Sequence, residues 1–198
     1  MLVVFIGAPG SGKGTQAERL AAETQLPHLS TGEILREAAE TGADLGRRAM
    51  EYINHGRLAP DDLVISIIAH RIRQPDCARG CILDGFPRTI EQARSLDQCL
   101  AQEGRSLQAV LELQVAEDEI VRRLLRRAQI SEKPRSDDTP EVIPQRIAIY
   151  RQQTMPVLEY YRERGLLCEI DGNGTPDEVY ARVRKALESR RLVSSDAG

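Results

Sequence analysis

The residues best suited to chemistry lie near the N-terminus, where an apolar run passes directly into a loop rich in glycine. Residues 2–6 read Leu-Val-Val-Phe-Ile, and residues 7–15 read Gly-Ala-Pro-Gly-Ser-Gly-Lys-Gly-Thr. The backbone N–H groups of such a loop can point inward together, and the helix that follows adds the positive end of its dipole. Lys13 can then reach the outer phosphates of a nucleotide. The order of strand, loop and helix therefore predicts a site for a nucleoside triphosphate.

Two residues are candidates for contact with magnesium. The general phosphate-loop pattern has Ser or Thr directly after the lysine, but here Gly14 stands in that position and Thr15 follows. Asp84 ends the apolar run 81–83, and an aspartate at the end of a strand beside a phosphate loop binds magnesium directly or through water. Asp84-Gly85 alone is equally typical of a turn. With the phosphate loop present, we expect Asp84 and Thr15 to face Mg²⁺ through water.

Arginine dominates the basic residues, since only three of the 27 are lysine. A single arginine is usually a surface residue, and a converging group of like charges is unfavourable without an anionic partner. Two bound nucleotides would supply that partner. Six arginines fall at predicted strand ends, in insertions or at the border of a charged loop: Arg36, Arg88, Arg123, Arg127, Arg135 and Arg146.

Apolar runs alternate with segments of helical periodicity, which predicts a parallel sheet covered by helices on both faces. We therefore expect one α/β domain over residues 1–198, a P-loop three-layer α/β/α fold with a five-stranded parallel sheet. Residues 30–59 and 126–136 are predicted insertions beyond the carboxyl ends of the strands, where ligands bind, and residues 192–198 a flexible tail. The predicted strands are 2–6, 27–29, 80–84, 108–115 and 166–171, and the predicted helices lie near 13–24, 32–41, 44–54, 61–73, 89–103, 117–127, 140–163 and 176–190.

The composition excludes several classes of function. The net charge of −3 over 198 residues gives no general attraction to nucleic acid or acidic membranes. No apolar run approaches the roughly 20 residues that span a bilayer, and no basic region precedes the first strand, so we expect neither a membrane segment nor a secretion signal. The four cysteines form no Cys-x-x-Cys pair, which favours reduced thiols in the cytoplasm over a zinc site or disulfides.

Four motifs together give the sequence its resemblance to adenylate kinases with a short lid, within the nucleoside monophosphate kinases. They are residues 7–15, Ser-Thr-Gly-Glu at 30–33, Leu-Asp-Gly-Phe-Pro-Arg-Thr at 83–89 and Arg-Ser-Asp-Asp at 135–138. The resemblance implies reversible, Mg²⁺-dependent phosphoryl transfer from ATP to AMP, giving two ADP. It further implies a monomer with no nucleic-acid or membrane partner, in which residues 30–59 bind AMP and residues 126–136 form the lid.

The resemblance also assigns roles to individual residues. The acceptor is a phosphate oxygen that is already ionised at neutral pH, so no general base is needed and none of the histidines requires a catalytic role. ATP is expected at Gly10, Ser11, Gly12, Lys13, Gly14, Thr15, Arg127 and the main chain of Gly174. AMP is expected at Thr31, Arg36, Arg57, Leu58, Ala59, Gly85, Phe86, Pro87, Arg88, Gln92, Arg135 and Arg146. Charge in the transferring group is expected to be stabilised by Lys13, Arg88, Arg123, Arg127, Arg135 and Arg146.

The choice of acceptor base and the geometry of the lid are the open points. The Gln92 amide can donate and accept at once, which suits adenine, whereas related uridylate/cytidylate kinases usually carry Ala in place of Thr31 and Asn near Gln92. A uridylate/cytidylate kinase and a non-catalytic nucleotide-binding module remain the alternatives. Pro134 should stiffen the lid, and Pro144 should kink a helix that starts at residue 138 or 139. The lid has no cysteine, so no zinc is implied.

Overall fold

The computed structural model describes residues 1–131 and 135–194, and its centre is one parallel sheet. The five strands lie in the order β2-β3-β1-β4-β5, as the alternation of apolar runs and helical segments predicted. Their bounds are β1 Leu2–Gly7, β2 His28–Ser30, β3 Cys81–Asp84, β4 Ala109–Gln114 and β5 Leu167–Asp171.

Helices cover both faces of the sheet. Val3 and Phe5 of β1 point to one face, and Val4 and Ile6 to the other, so the strand is apolar throughout, as is usual for a parallel strand buried on both sides. The helices are α1 Lys13–Thr24, α2 Thr31–Glu40, α3 Asp44–Ile53, α4 Asp61–Ile72, α5 Ile90–Gln102, α6 Glu117–Ile130, α7 Ile143–Ile149, α8 Met155–Arg162 and α9 Pro176–Ser189, with a 3₁₀ turn at Pro75–Cys77. Helices α1 and α9 pack on the first face, and α4, α5 and α8 on the second.

The register of the sheet brings the ends of three strands together. Phe5 of β1 pairs with Asp84 of β3, and Asp84 pairs in turn with Ser30 of β2. The loop after β1, the helix after β2 and the segment after β3 therefore start side by side, which is where an open parallel sheet binds its ligands.

The long helix predicted over 140–163 is wrong in detail. The structure has α7, then a π-helical turn at Tyr150–Thr154, then α8. Pro144 lies in the first turn of α7, where a missing N–H breaks no helical hydrogen bond. The expected kink before Arg146 is therefore absent. The residues before α7 form a turn in which the N–H of Ile143 donates to the carbonyl of Thr139 at 3.0 Å.

The two predicted insertions contain regular structure. Residues 30–59 include α2 and α3, which pack so closely that a Cβ on Gly46 would lie 2.2 Å from the backbone nitrogen of Ala39. Helix α6 continues to Ile130, past the start of the predicted lid. Pro134 and the stiffening expected of it lie outside the described residues. In the predicted tail, Leu192 and Val193 pack against the core. Residues 195–198 also lie outside the described residues.

No helix in residues 1–131 and 135–194 combines the length and the apolar character needed to cross a bilayer.

Candidate active site

A cavity of about 430 Å³ lies beyond the carboxyl ends of β1 and β3. Its wall is built by the glycine-rich loop, the insertion 30–59, the segment after β3, and the polar face of α6. Arg135 and Asp137 after α6, together with Arg146 and Ile149 of α7, complete it. A small apolar cluster of Ala8, Ile120, Leu124, Ile143 and Ile147 fixes α6 and α7 against the loop.

The loop can take its shape only with glycine at two positions. Gly10 and Gly12 have φ of 82° and 93°, a region that L side chains rarely adopt. A Cβ on Gly10 would also lie 2.8 Å from Cγ of Leu124 and 3.0 Å from the carbonyl oxygen of Ile120. Gly12 directly precedes α1, so the loop presents backbone amides and a helix N-terminus to the cavity, a combination that binds anions.

Lys13 opens α1 and lies at the cavity wall. Its ammonium donates to the carbonyl of Ala8 at 3.3 Å. Removal from water lowers the pKa of Lys13 to about 8; the nearby Asp84 carboxylate opposes this shift, and the Arg88 and Arg146 cations add to it. A bound phosphate would restore the proton affinity of this group.

All six arginines singled out from the sequence line this one cavity. Two of them, Arg36 and Arg88, have no carboxylate within ion-pair distance anywhere in 1–131 and 135–194. Arg88 donates through Nε to the carbonyl of Gly85 at 2.7 Å. Burial is the main cause that lowers the pKa of both arginines. A neighbouring guanidinium adds to the shift, that of Arg135 for Arg36 and that of Arg146 for Arg88. Asp137 is near both side chains and opposes these pKa shifts, but within the described residues neither arginine forms an ion pair.

The other four arginines have carboxylate partners within the protein, which the sequence analysis did not anticipate. Arg123 pairs with Glu119 at 2.6 Å, and Arg135 approaches Glu33 at 3.6 Å. Arg127 and Arg146 share the carboxylate of Asp138, and Arg146 also pairs with Asp137 at 3.1 Å.

Asp138 is the central anion of this wall. Its side chain is fully buried and accepts from Arg127 Nε at 2.6 Å, from Arg127 Nη2 at 2.7 Å and from Arg146 Nη1 at 2.5 Å. Burial alone would raise the pKa of Asp138, but the hydrogen bonds and charge of Arg127, together with Arg146, hold it below its usual value. The pair of aspartates after Arg135 was the signal in the sequence, because two adjacent acids beside a cluster of arginines suggest an internal counter-ion.

Asp84 meets the requirements for contact with a divalent cation. It is buried, and its Oδ1 atom has no hydrogen-bond partner within the described part of the chain. Burial alone would raise the pKa of Asp84, but His28, whose Nε2 lies 3.6 Å from Oδ2, and Lys13 lower it. His28, for which no catalytic role was expected, thus lies beside this carboxylate.

The donor set suits magnesium that arrives with a nucleotide. No group of three or more His, Cys, Asp or Glu side chains in 1–131 and 135–194 could hold a metal by itself. Mg²⁺ is typically bound by one or two carboxylates together with substrate phosphates and water. The unpartnered oxygen of Asp84 and the hydroxyl of Thr15, which also lines the cavity, fit that pattern.

The π-helical turn between α7 and α8 also reaches the cavity. Tyr150 and Thr154 line its wall, and the Thr154 hydroxyl donates to the carbonyl of Arg88 at 3.0 Å. Single π turns are common at functional sites. This turn was not predicted, because an uninterrupted helical period runs through it in the sequence.

Most of the residues predicted to bind nucleotides lie on the cavity wall. Ser11 and Phe86 are buried behind it, and Gly174 lies in the loop before α9, outside the lining. Arg123 links that loop to the site by donating to the carbonyls of Ser11 at 3.3 Å and Gly172 at 3.1 Å. The predicted residues on the wall are Gly10, Gly12, Lys13, Gly14, Thr15, Thr31, Arg36, Arg57, Leu58, Ala59, Asp84, Gly85, Pro87, Arg88, Gln92, Arg123, Arg127, Arg135 and Arg146.

Comparison with known proteins gives a consistent result. A family model described as adenylate kinase matches residues 5–166. An adenylate kinase of Thermus thermophilus is 48% identical over 185 residues, which cover 93% of this chain and 96% of that protein. Adenylate kinases of Thermobifida fusca and Stenotrophomonas maltophilia are 45% and 43% identical, and each alignment covers 96% of this chain and all of the relative.

Proposed function

Since the chain belongs to the adenylate kinase family, we propose that its cavity transfers the terminal phosphoryl group of MgATP to AMP and releases two ADP. The observation that carries the proposal is the convergence of Lys13, seven arginines and the glycine-rich loop on one cavity. The loop, Lys13 and the two arginines without a carboxylate partner, Arg36 and Arg88, can bind phosphate groups, and direct transfer requires that a donor and an acceptor share one cavity.

The cations fall into two groups that suit the two substrates. We assign one end of the cavity to the phosphates of ATP. That end is surrounded by the loop 10–15, Arg123 and Arg127. We assign the main chain of Gly174 to contact with the adenine base of ATP. Arg36, Arg88 and the segment 57–59 surround the other end, which we assign to AMP. Arg135 and Arg146 approach from the lid side, where they can contact the phosphoryl group as it moves.

The chemistry requires positioning and charge stabilisation rather than covalent help from the protein. Phosphoryl transfer passes through a loose transition state with charge spread over the equatorial oxygens. Guanidinium groups stabilise that charge, and one arginine can be worth roughly a thousandfold in rate. The acceptor oxygen is already ionised, so His28 is not needed as a base. Magnesium bound with ATP neutralises phosphate charge, and Asp84 and Thr15 would hold it through water.

We assign residues 30–59 to an AMP-binding insertion and residues 126–136 to a lid that closes over the substrates and excludes water. Two contacts between these parts support the assignment. The Ser136 hydroxyl donates to Oδ1 of Asn54 at 2.6 Å, and Arg135 lies 3.6 Å from Glu33. Exclusion of water matters because a phosphoryl group activated in an open site would be hydrolysed.

We further infer a cytoplasmic monomer whose partners are ATP, AMP and ADP, with no nucleic-acid or membrane partner. The net charge of −3 and the free thiols of Cys77, Cys81, Cys99 and Cys168 support this inference.

A coupled assay of ADP formation with ATP and either AMP, UMP or CMP tests the proposal. We expect AMP to be the best acceptor by a wide margin. Lys13→Met should lose most of the activity, whereas Lys185→Met, the same change at an exposed lysine of α9, should keep it. No ADP formation with AMP, or faster turnover with UMP or CMP, would overturn the proposal.

A further inference from the structure

We propose that Asp61 is a positioning residue that fixes the orientation of the Gln92 amide, and that this orientation makes the acceptor site select bases with an amino group over bases with an oxo group. The inference rests on the proposed function and on the expectation, implied by the resemblance, that Gln92 on the cavity wall contacts the base of AMP. Asp61 lies outside the cavity wall, and the inference is that it determines which base can form hydrogen bonds with Gln92.

Asp61 opens α4 and joins two side chains of the neighbouring segment. Its Oδ1 accepts from Nε2 of Gln92 at 2.7 Å, and its Oδ2 accepts from the hydroxyl of Thr89 at 2.7 Å. The other end of the Gln92 amide is also fixed, because Oε1 accepts from the backbone N–H of Arg88 at 2.7 Å. The Thr89 oxygen in turn accepts from the backbone N–H of Gln92 at 3.2 Å. Thr89 therefore caps α5, while the Gln92 side chain joins Asp61 to the backbone of Arg88.

These partners allow only one orientation of the amide. Rotating it by half a turn would place the amide oxygen against the carboxylate of Asp61 and the NH₂ group against the N–H of Arg88. Two acceptors would then face each other at one end and two donors at the other, and each loses its hydrogen bond. Gln92 is 2% exposed, so water cannot easily replace the lost partners.

The fixed orientation leaves a defined pattern for a ligand. An amide carries two N–H donors and two lone pairs, and the network uses one of each, so one donor and one acceptor remain at the cavity wall. Adenine offers an amino donor beside a ring nitrogen acceptor, which matches. Hypoxanthine, guanine and uracil offer an oxo acceptor beside a ring N–H donor, and they would match only the rotated amide.

Asp61 could instead matter only because an acidic residue in the first turn of a helix favours the helix dipole. Asp62 separates the two roles, since it stands in the same first turn of α4 but is exposed and has no recorded partner in residues 1–131 and 135–194. Substitution of Asp62 removes the same favourable charge and leaves Gln92 held.

The test compares kcat/KM with AMP and with IMP, which differ in the amino and oxo groups at issue, for five proteins. Asp61→Ala should reduce the AMP-to-IMP ratio by about tenfold, mainly through a higher KM for AMP, with the KM for ATP unchanged. Asp61→Asn should keep most of the ratio, because its carbonyl still accepts from Gln92 and its NH₂ group can donate to Thr89. Asp62→Ala should match the wild type, and Gln92→Ala should lose at least as much selectivity as Asp61→Ala.

The outcomes distinguish the two levels of the argument. An unchanged ratio in Asp61→Ala alongside a reduced ratio in Gln92→Ala would overturn the role of Asp61. An unchanged ratio in Gln92→Ala would overturn the contact between Gln92 and the base, and with it this inference, while AMP turnover by the wild type would still support the proposed reaction. If Asp61→Ala folds poorly, Asp61→Ser serves instead, because its shorter side chain cannot reach Gln92.

Discussion

Replacement of Asp138 by asparagine tests whether the arginines of the cavity are held in place by a counter-ion of the protein itself. The wild-type carboxylate accepts three hydrogen bonds from Arg127 and Arg146. Asparagine has nearly the same shape but no charge, and its NH₂ group must face at least one guanidinium donor. The free enzyme would then contain an Arg127 guanidinium with no full counter-charge, beside an Arg146 guanidinium that keeps only Asp137, whose Oδ2 lies 3.1 Å from its Nη1.

The size of the effect follows from burial. Breaking a buried ion pair by removing one partner costs about 3–5 kcal/mol. The Asp138 side chain is fully buried, but Arg127 is 35% exposed and Arg146 14% exposed, so water can partly replace the carboxylate. We therefore expect a loss of roughly 2–3 kcal/mol of unfolding free energy, or about 4–12 °C in Tm for a chain of this size. Misplaced arginines should also reduce kcat by about 100-fold.

The difference between the two proteins should depend on pH in a defined direction. Because the pKa of Asp138 lies below its usual value in the folded protein, its contribution is complete above the unfolded value of about 3.9. It is lost as pH falls through the lower folded pKa, so the two Tm curves should converge in acid.

Thermal unfolding followed by circular dichroism, together with the coupled assay, measures both effects. Asp177→Asn is the matched control, because Asp177 pairs with Arg19 at 2.6 Å but is 85% exposed, and exposed pairs contribute little. If Asp138→Asn lowered Tm and kcat no more than Asp177→Asn does, the idea of an internal counter-ion would be refuted.

Three further predictions concern the phosphate loop and the acceptor end of the cavity. The pKa of Lys13 is about 8 in the free enzyme. ATP affinity measured by calorimetry should therefore fall as pH rises above that value, by up to about tenfold per pH unit. An ATP affinity that stayed constant between about pH 7 and 9.5 would exclude Lys13 from binding. In urea unfolding, Gly10→Ala should lower the free energy of unfolding more than Gly12→Ala does. A Cβ on Gly10 would collide with Leu124, whereas a Cβ on Gly12 would meet no atom closer than 3.8 Å. Equal losses of unfolding free energy would contradict this prediction. Arg88→Ala should reduce turnover with AMP by roughly a thousandfold with little change in Tm, and near-normal turnover would remove Arg88 from the site.

The sequence was sufficient for the parts of the fold that depend on local pattern. The apolar run 2–6 is found in β1, and the glycines and Lys13 are found in a loop between that strand and α1. These features could be predicted because a buried parallel strand and a phosphate loop leave a direct mark in consecutive residues.

Other features depend on contacts between distant segments and could not be read from the sequence. Asp138 acts as a counter-ion only because α7 brings Arg146 beside Arg127. Pro144 would kink a helix that started at residue 138 or 139, as expected from the sequence, but it does not kink α7, because α7 begins at Ile143. The partners of Gln92 were likewise hidden, because Asp61 is 31 residues away in the chain.

A bisubstrate compound with two adenosines joined through five phosphates tests the central claim most directly. If one cavity holds donor and acceptor together, calorimetry should show one molecule bound per chain, and both ATP and AMP should compete with it. A crystal structure of the complex should place the phosphates within hydrogen-bond distance of Lys13, Arg88 and Arg127. Competition by only one of the two nucleotides, or phosphates bound away from these side chains, would contradict the account.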